Sequence, residues 1–285
     1  MKLSVSSYSF QQYLNAGKLT WEELPEAAHK IGFEAIEFIN MPGETHEEHL
    51  EMAAKIKKAA DALGMTINAY TIGANLFQPT EEAAEAEIAR LTLQLDVAAE
   101  LGAKVMRHDV VSSLTREGAG RSFDMMLPTI AKNARRVADE GQKRGIITCS
   151  ENHGRIAQDS DRVERLFNAV NHPNYGLLVD IGNFACVDED NAIAVSRVAP
   201  YAVHVHAKDF HIYDYERGPI AGASRTRGQR SIIGCAVGDG DVPVRRCIDI
   251  LRAAGYNGYF SVEYEGKTDC IDGITRGFNF LSAID

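Results

Sequence analysis

Five times in this chain an amphipathic segment stops at a glycine and restarts at once as an apolar run: Ile31-Gly32-Phe33, Leu63-Gly64-Met65, Leu101-Gly102-Ala103, Arg144-Gly145-Ile146 and Ala254-Gly255-Tyr256. Glycine just past a helix takes up the left-handed conformation that side chains resist, so each triplet reads as a helix end feeding a strand. Two more restarts follow turn residues, at Pro173-Asn174-Tyr175-Gly176 and Pro200-Tyr201, and the chain opens on the apolar run Leu3 to Ser7. Together these predict eight strands, near residues 3–7, 35–39, 66–71, 103–109, 146–151, 177–181, 202–206 and 258–263. The stretches between them carry helical periodicity, as where Thr20-Trp21-Glu22-Glu23 forms a capping box and Trp21, Leu24, Ala28 and Ile31 mark one apolar face. His49 to Leu63 reads as an amphipathic helix on the outside. Strict β-α alternation argues a parallel sheet, and eight units in 285 residues argue one closed (β/α)8 barrel, a fold that typically needs about 250 residues. An open doubly wound sheet is the competing arrangement.

The expected organisation is a single α/β domain over residues 1–285, with a long connection after the seventh strand at about 207–257. Hydrophobic residues make up 45% and charged residues 25%, enough to bury a large core. No run of about 18 apolar residues and no basic leader with an apolar core is present, so a soluble, cytoplasmic protein with no membrane partner is expected. A net charge of -10 opposes binding to nucleic acid, whose phosphates reward clustered cations. Five cysteines without a CxxC pair do not form a disulfide framework and suit a reducing compartment.

Four of the apolar runs end on a residue able to hold a divalent metal: IITCSE on Glu151, LLVD on Asp180, VHVH on His206 and FSVE on Glu263. Side chains alternate across a strand, so parity can be tested. Phe260 and Val262 suit the helix side, which leaves Ser261 and Glu263 in the lumen. The valines of Val203-His204-Val205-His206 point outward and both histidines inward, while Asp180 shares parity with Leu178, and Glu151 with Ile147 and Cys149. Each candidate ligand therefore falls at the carboxyl end of a strand on the luminal side, where catalytic groups of such barrels gather. Three carboxylates in one barrel mouth repel one another unless a cation compensates, and three oxygen ligands with one imidazole suit Mn2+ first, with Mg2+, Co2+ or Zn2+ as alternatives.

The strand ends written SENHG, VDIGN, HVHAKD and SVEYEG resemble the xylose-isomerase-like sugar phosphate isomerase/epimerase superfamily over essentially the whole chain. The resemblance implies that Glu151, Asp180, His206 and Glu263 bind one divalent metal; it leaves the reaction open among ketose epimerases, hydroxypyruvate isomerase, inosose dehydratase and 3-dehydroshikimate dehydratase. Two departures matter. Ketose 3-epimerases usually carry Asp-x-x-His where this chain has Asp180-Ile-Gly-Asn183, and His206-Ala-Lys208-Asp209 is similar to inosose dehydratase.

A metal chelated by neighbouring substrate oxygens makes a C–H beside a carbonyl acidic and stabilises the resulting enediolate. Glu151 and Glu263, on different strands, are the expected base and acid. Proton return gives an isomerase or epimerase, the leading expectation, and loss of a β-leaving group gives a lyase, the alternative. The lyase class includes C-glycoside eliminases that need a small partner subunit. An apurinic endonuclease or a non-catalytic sugar binder is a more distant expectation. His153, Lys208, Asp209, Asn183, Glu37 and His108 are the expected contacts for a small carbohydrate, and His204 is a layer residue beneath His206. Arg107, His108 and Asp109 end strand four, and some of them must face the mouth. A homo-oligomer is compatible with all of this. Arg217, Arg225, Arg227 and Arg230, in the long connection, suit a mobile cover meeting an anionic substrate, or a solvated loop. Gly238-Asp239-Gly240 reads as a turn.

Overall fold

The computed structural model describes residues 1–111, 113–115 and 118–284. Eight parallel strands close into a barrel: β1 (Lys2–Ser6), β2 (Ala35–Ile39), β3 (Thr66–Ile72), β4 (Val105–His108), β5 (Ile147–Glu151), β6 (Tyr175–Asp180), β7 (Ala202–Ala207) and β11 (Tyr259–Val262), which pairs back with β1. Between and after them run α1 (Gln11–Asn15), α2 (Leu24–Ile31), α3 (His46–Ala62), α4 (Glu81–Leu101), α5 (Phe123–Lys143), α6 (Ser160–Val170), α7 (Asn191–Val198), α8 (Val244–Ala253) and α9 (Cys270–Ser282). The eight strands predicted from five glycine stops, two turn restarts and the N-terminal run are therefore all present, and the open-sheet alternative is excluded by the β1–β11 pairing.

The repeat works as its chemistry demands. At the end of α4, Gly102 adopts φ 78°, and its N–H and that of Ala103 close back onto the last helical turn before the chain enters β4. The Thr20–Glu23 capping box opens a short 3-10 turn ahead of α2, with Leu24 and Ala28 fully buried and Trp21 and Ile31 packed at the edge.

Packing fixes which way each strand faces. Val205, Phe260 and Val262 are at most 2% exposed, wedged between sheet and helices. Burial of each such side chain is worth about 1.5–3 kcal/mol. A one-residue slip of β7 or β11 would exchange these residues with His206 and Glu263, so the apolar shell holds the polar lumen in register. Asp180 lies beside His206 in the β6–β7 ladder, and His206 beside Ser261 in β7–β11.

The stretch expected as a long connection at 207–257 is largely ordered. Beyond Lys208 it forms an antiparallel sheet of β8 (Asp209–Tyr213), β9 (Ser224–Arg225) and β10 (Ser231–Cys235), in the order β8-β10-β9, followed by α8. This strap is tied down. Arg227 pairs with Asp159 and its N–H bonds Cys186 O, while Arg230 Nε lies 2.7 Å from Asp188. Among the described residues no helix is long and apolar enough to cross a membrane.

Candidate metal centre

Four strand ends deliver the central cluster. Glu151 and Asp180 are the last residues of β5 and β6, His206 is the penultimate residue of β7, and Glu263 follows β11, its N–H bonded to Ala207 O at 3.0 Å. One ligand-type atom from each lies within 4.8 Å of all the others. His206 Nδ1 sits 3.7 Å from Glu151 Oε1, 3.9 Å from Asp180 Oδ2 and 3.6 Å from Glu263 Oε2. These separations are too long for hydrogen bonds, and Nδ1 is buried with no hydrogen-bond partner among the described residues. Ligands about 2.1 Å from a shared ion stand about 3–4 Å from one another, so the donor set fits a single divalent cation.

Each carboxylate is held from behind. Asp180 Oδ1 accepts the N–H groups of Gly182 (2.8 Å) and Asn183 (3.0 Å), which turns Oδ2 to the centre. The Asn152 amide clamps β5 to β6, donating to Asp180 O and accepting from Asp180 N, both at 2.9 Å. Glu151 receives Asn183 Nδ2 at 2.9 Å on Oε1 and the Arg107 guanidinium at 2.6 Å on Oε2. The Lys208 ammonium contacts Glu263 and lies 3.1 Å from Asp180 Oδ2 and 3.2 Å from Glu265 Oε1. Burial pushes the Asp180 carboxyl up to about 6; Lys208 opposes this, and repulsion from Glu151 and Glu263 adds to it. Burial also works against ionised Glu263, yet Lys208 and His206 hold it down at about 2.

Above the cluster opens a cavity of about 220 Å3, lined by Tyr8, Asn40, Thr71, Arg107, His153 and Glu265 together with Glu151, His206, Lys208 and Glu263. A larger open depression of about 830 Å3 lies between α4 and α5 on the outside of the barrel and holds none of these groups. His153 rims the mouth, its Nδ1 3.0 Å from Asp109 Oδ1, and Asp109 is also paired with Arg107 at 2.8 Å. Burial lowers the His153 pKa, but the Asp109 hydrogen bond and the nearby Glu151 carry it above its ordinary value.

Three expected substrate contacts lie elsewhere. Glu37, 0% exposed, sits on the barrel floor with Oε1 2.7 Å from His206 Nε2 and Oε2 bonded to His204, so the carboxylate faces the imidazoles beneath the centre. His108 is fully buried with Nδ1 2.9 Å from Asp109 O and its ring 6.4 Å from Tyr175, while its β4 neighbour Arg107 takes the luminal place. Asp209 accepts the backbone N–H groups of Phe210, Gly238, Gly240 and Val242, which makes it the anchor of the Gly238-Asp239-Gly240 turn rather than a partner of Lys208. Asn183, Lys208 and His153 do reach the cluster or its mouth.

Tyr8 and Glu265 are mouth residues that the sequence did not single out, and Arg107, one of three strand-four candidates for the mouth, is the one that reaches Glu151. For Arg107 a signal existed in the alternation of β4. It was ambiguous, because Val105 and Met106 make both parities apolar.

A family model described as xylose isomerase-like TIM barrel matches residues 25–284. The chain belongs to this family. Within the xylose isomerase-like barrels, inosose dehydratase of Geobacillus thermodenitrificans (strain NG80-2) is 26% identical over 267 residues, spanning 86% of each chain. Two solved structures, each 16% identical, superpose with a TM-score of 0.75 and share the fold. One is the probable 3-DHS dehydratase AsbF of Bacillus anthracis, involved in petrobactin synthesis, aligned over 100% of both chains. The other is the IOLI protein with a bound zinc atom, aligned over 100% of this chain and 98% of that one.

Proposed function

We propose that this protein is a divalent-metal-dependent lyase that removes water from a small polyhydroxylated ketone, such as an inosose. The observation that carries the reading is the Lys208 ammonium set against Asp180 and Glu263 inside a four-residue metal cluster, at the base of a cavity whose rim holds the His153–Asp109 pair. The dehydratase likeness over 86% of the chain supports the same class.

A divalent cation held by Glu151, Asp180, His206 and Glu263 would polarise the substrate carbonyl and its neighbouring oxygen. Every proton is handled by side chains. A carboxylate oxygen of Glu263 takes the proton from the carbon beside the carbonyl, the electron pair left behind moves onto the carbonyl oxygen, and its return forms a carbon–carbon double bond as the β C–O bond breaks. His153, its protonated form favoured by Asp109, gives its proton to the departing hydroxyl, which leaves as water. Lys208 supplies a fixed positive charge beside the oxygen that becomes negative. Arg107 and Asn183 keep Glu151 oriented while this happens.

Isomerisation or epimerisation is the second reading. Its support is the pair Glu151 and Glu263, brought into one cluster from β5 and the end of β11, two carboxylates on different strands available for removing a proton and returning it.

The test is incubation with an inosose in D2O after reconstitution with Mn2+, Mg2+, Co2+ or Zn2+ in turn. A product lighter by one water supports the lyase, a product of unchanged formula carrying deuterium supports the second reading, and inertness with every metal across inososes and keto-sugars overturns both.

A further inference from the structure

A second cavity, of about 200 Å3, lies under the strap and shares Glu265 with the cavity above the metal centre. Its walls include Phe210 and Ile232, the polar edge of Ser224, and two cations, Arg155 and Lys267. At about 30 Å3 per water it has room for a substituent of several heavy atoms.

The acids around it are already paired. Asp159 is taken by Arg227, Asp188 by Arg230, and Glu265 by Lys208 at 3.2 Å. Arg155 and Lys267 have only main-chain carbonyls, Arg225 O and Gly222 O, and no carboxylate partner among the described residues. Both side chains are solvent-exposed, so they present two positive charges at the rim of a partly apolar recess.

The backbone also shows that Arg155 is placed at a cost. Gly154 (φ 76°) is followed by Arg155 at φ 67°, a left-handed conformation uncommon for a residue with this side chain. Arg227 Nη2 donates to Arg155 O at 2.6 Å, while the Arg155 guanidinium donates to Arg225 O, so the β5–α6 loop and the strap hold each other in the shape that aims Arg155 at the recess. The arginines of the strap itself, Arg217, Arg225, Arg227 and Arg230, do not line the recess, and Arg227 and Arg230 are paired with acids. Recognition falls instead to Arg155 and Lys267.

We propose that this recess is an anion subsite that takes a carboxylate or phosphate group, which narrows the substrate from a neutral inosose to a polyhydroxylated ketone bearing such a group beyond the part bound at the metal centre. Its meaning as a substrate site rests on the catalytic reading above. Its binding chemistry does not, because a guanidinium fork and an ammonium recognise an oxyanion with or without the metal.

The test is calorimetric titration of the full chain with inorganic phosphate, and in parallel with acetate, before and after chelation of divalent metal. Saturable binding of either anion by the metal-free protein is expected, weakened at least tenfold by Arg155→Ala and by the exposed-site variant Lys267→Glu. Metal content measured on the same samples should be unchanged, so failure of the metal centre and failure of the subsite read out separately. Binding of neither anion at low-millimolar concentration, binding only through added metal, or unchanged affinity in Lys267→Glu with its melting temperature intact overturns the proposal.

Discussion

Glu37 Oε1 lies 2.7 Å from His206 Nε2, on the edge of the imidazole opposite the Nδ1 that faces Glu151, Asp180 and Glu263. One carboxylate on β2 thus fixes the ring that β7 offers to the centre and, through its other oxygen, holds His204 as well. Burial opposes its ionisation, but His206 and His204 keep it far below the usual carboxylate range, so a full negative charge stands behind the ligand. Such a partner sets the ring orientation and raises ligand basicity. Glu37→Ala is expected to lower divalent-metal affinity by about 10–100-fold, the usual effect of removing a carboxylate that buttresses a ligating histidine. Equilibrium dialysis with metal analysis measures it, and wild-type affinity would remove Glu37 from this role.

The cluster itself predicts a stability difference. Metal that binds the folded state alone adds about 2.7 kcal/mol at a free concentration one hundred times its Kd. Added Mn2+ or Zn2+ should therefore raise the melting temperature of chelated wild-type protein by several degrees. His206→Ala, which deletes the Nδ1 donor common to the three carboxylates, should show no such rise and no bound metal after reconstitution. Stoichiometric metal in that variant would sink the four-ligand site.

Metal affinity should also depend on pH in a defined direction. Asp180, pushed up to about 6 chiefly by burial, holds a proton below that value when no metal is present. The proton must leave before Oδ2 can ligate, so affinity falls as pH drops through about 6 and is insensitive to this group well above it. Titrations between pH 5 and pH 8 test the sign, and affinity that is flat or rises on acidification contradicts it.

Much of this was legible because two signals reinforce each other. Glycine-stopped helices located the strands, and outward Val205, Phe260 and Val262 settled which of their neighbours point inward. What stayed hidden depends on contacts that no local pattern carries. Glu37 meets His206 only when β2 and β7 face each other across the lumen, and Asp209 finds its partners in a turn some thirty residues on. On β4 the choice among Arg107, His108 and Asp109 stayed open, with His108 the expected contact, because neither parity of Val105-Met106-Arg107-His108 is cleanly polar; it is Arg107 that reaches Glu151. The strap read as a loop because its strands are short and separated by glycines, and what holds it down, Arg227 on Asp159 and Arg230 on Asp188, joins residues distant in sequence.

Lys208 separates binding from chemistry. Its ammonium contacts Asp180 Oδ2 and Glu263, two of the oxygens a metal would use, so in the metal-free protein it shares their negative charge. Burial lowers its pKa, but Asp180 and Glu263 carry it well above the ordinary value, so it remains charged across the working pH range. Lys208→Met keeps most of the stem and removes the charge. With one fewer cation competing for the carboxylates, divalent-metal affinity should be equal to or higher than in the wild type. Turnover should fall about 10²–10³-fold, the usual loss when a fixed donor to a developing negative charge is removed. The two changes run in opposite directions, and a merely structural lysine would not produce that pattern, since its loss would loosen the cluster and weaken metal and rate together. Metal titration and turnover measured on the same preparation decide the matter, and a parallel fall in both assigns Lys208 to scaffolding.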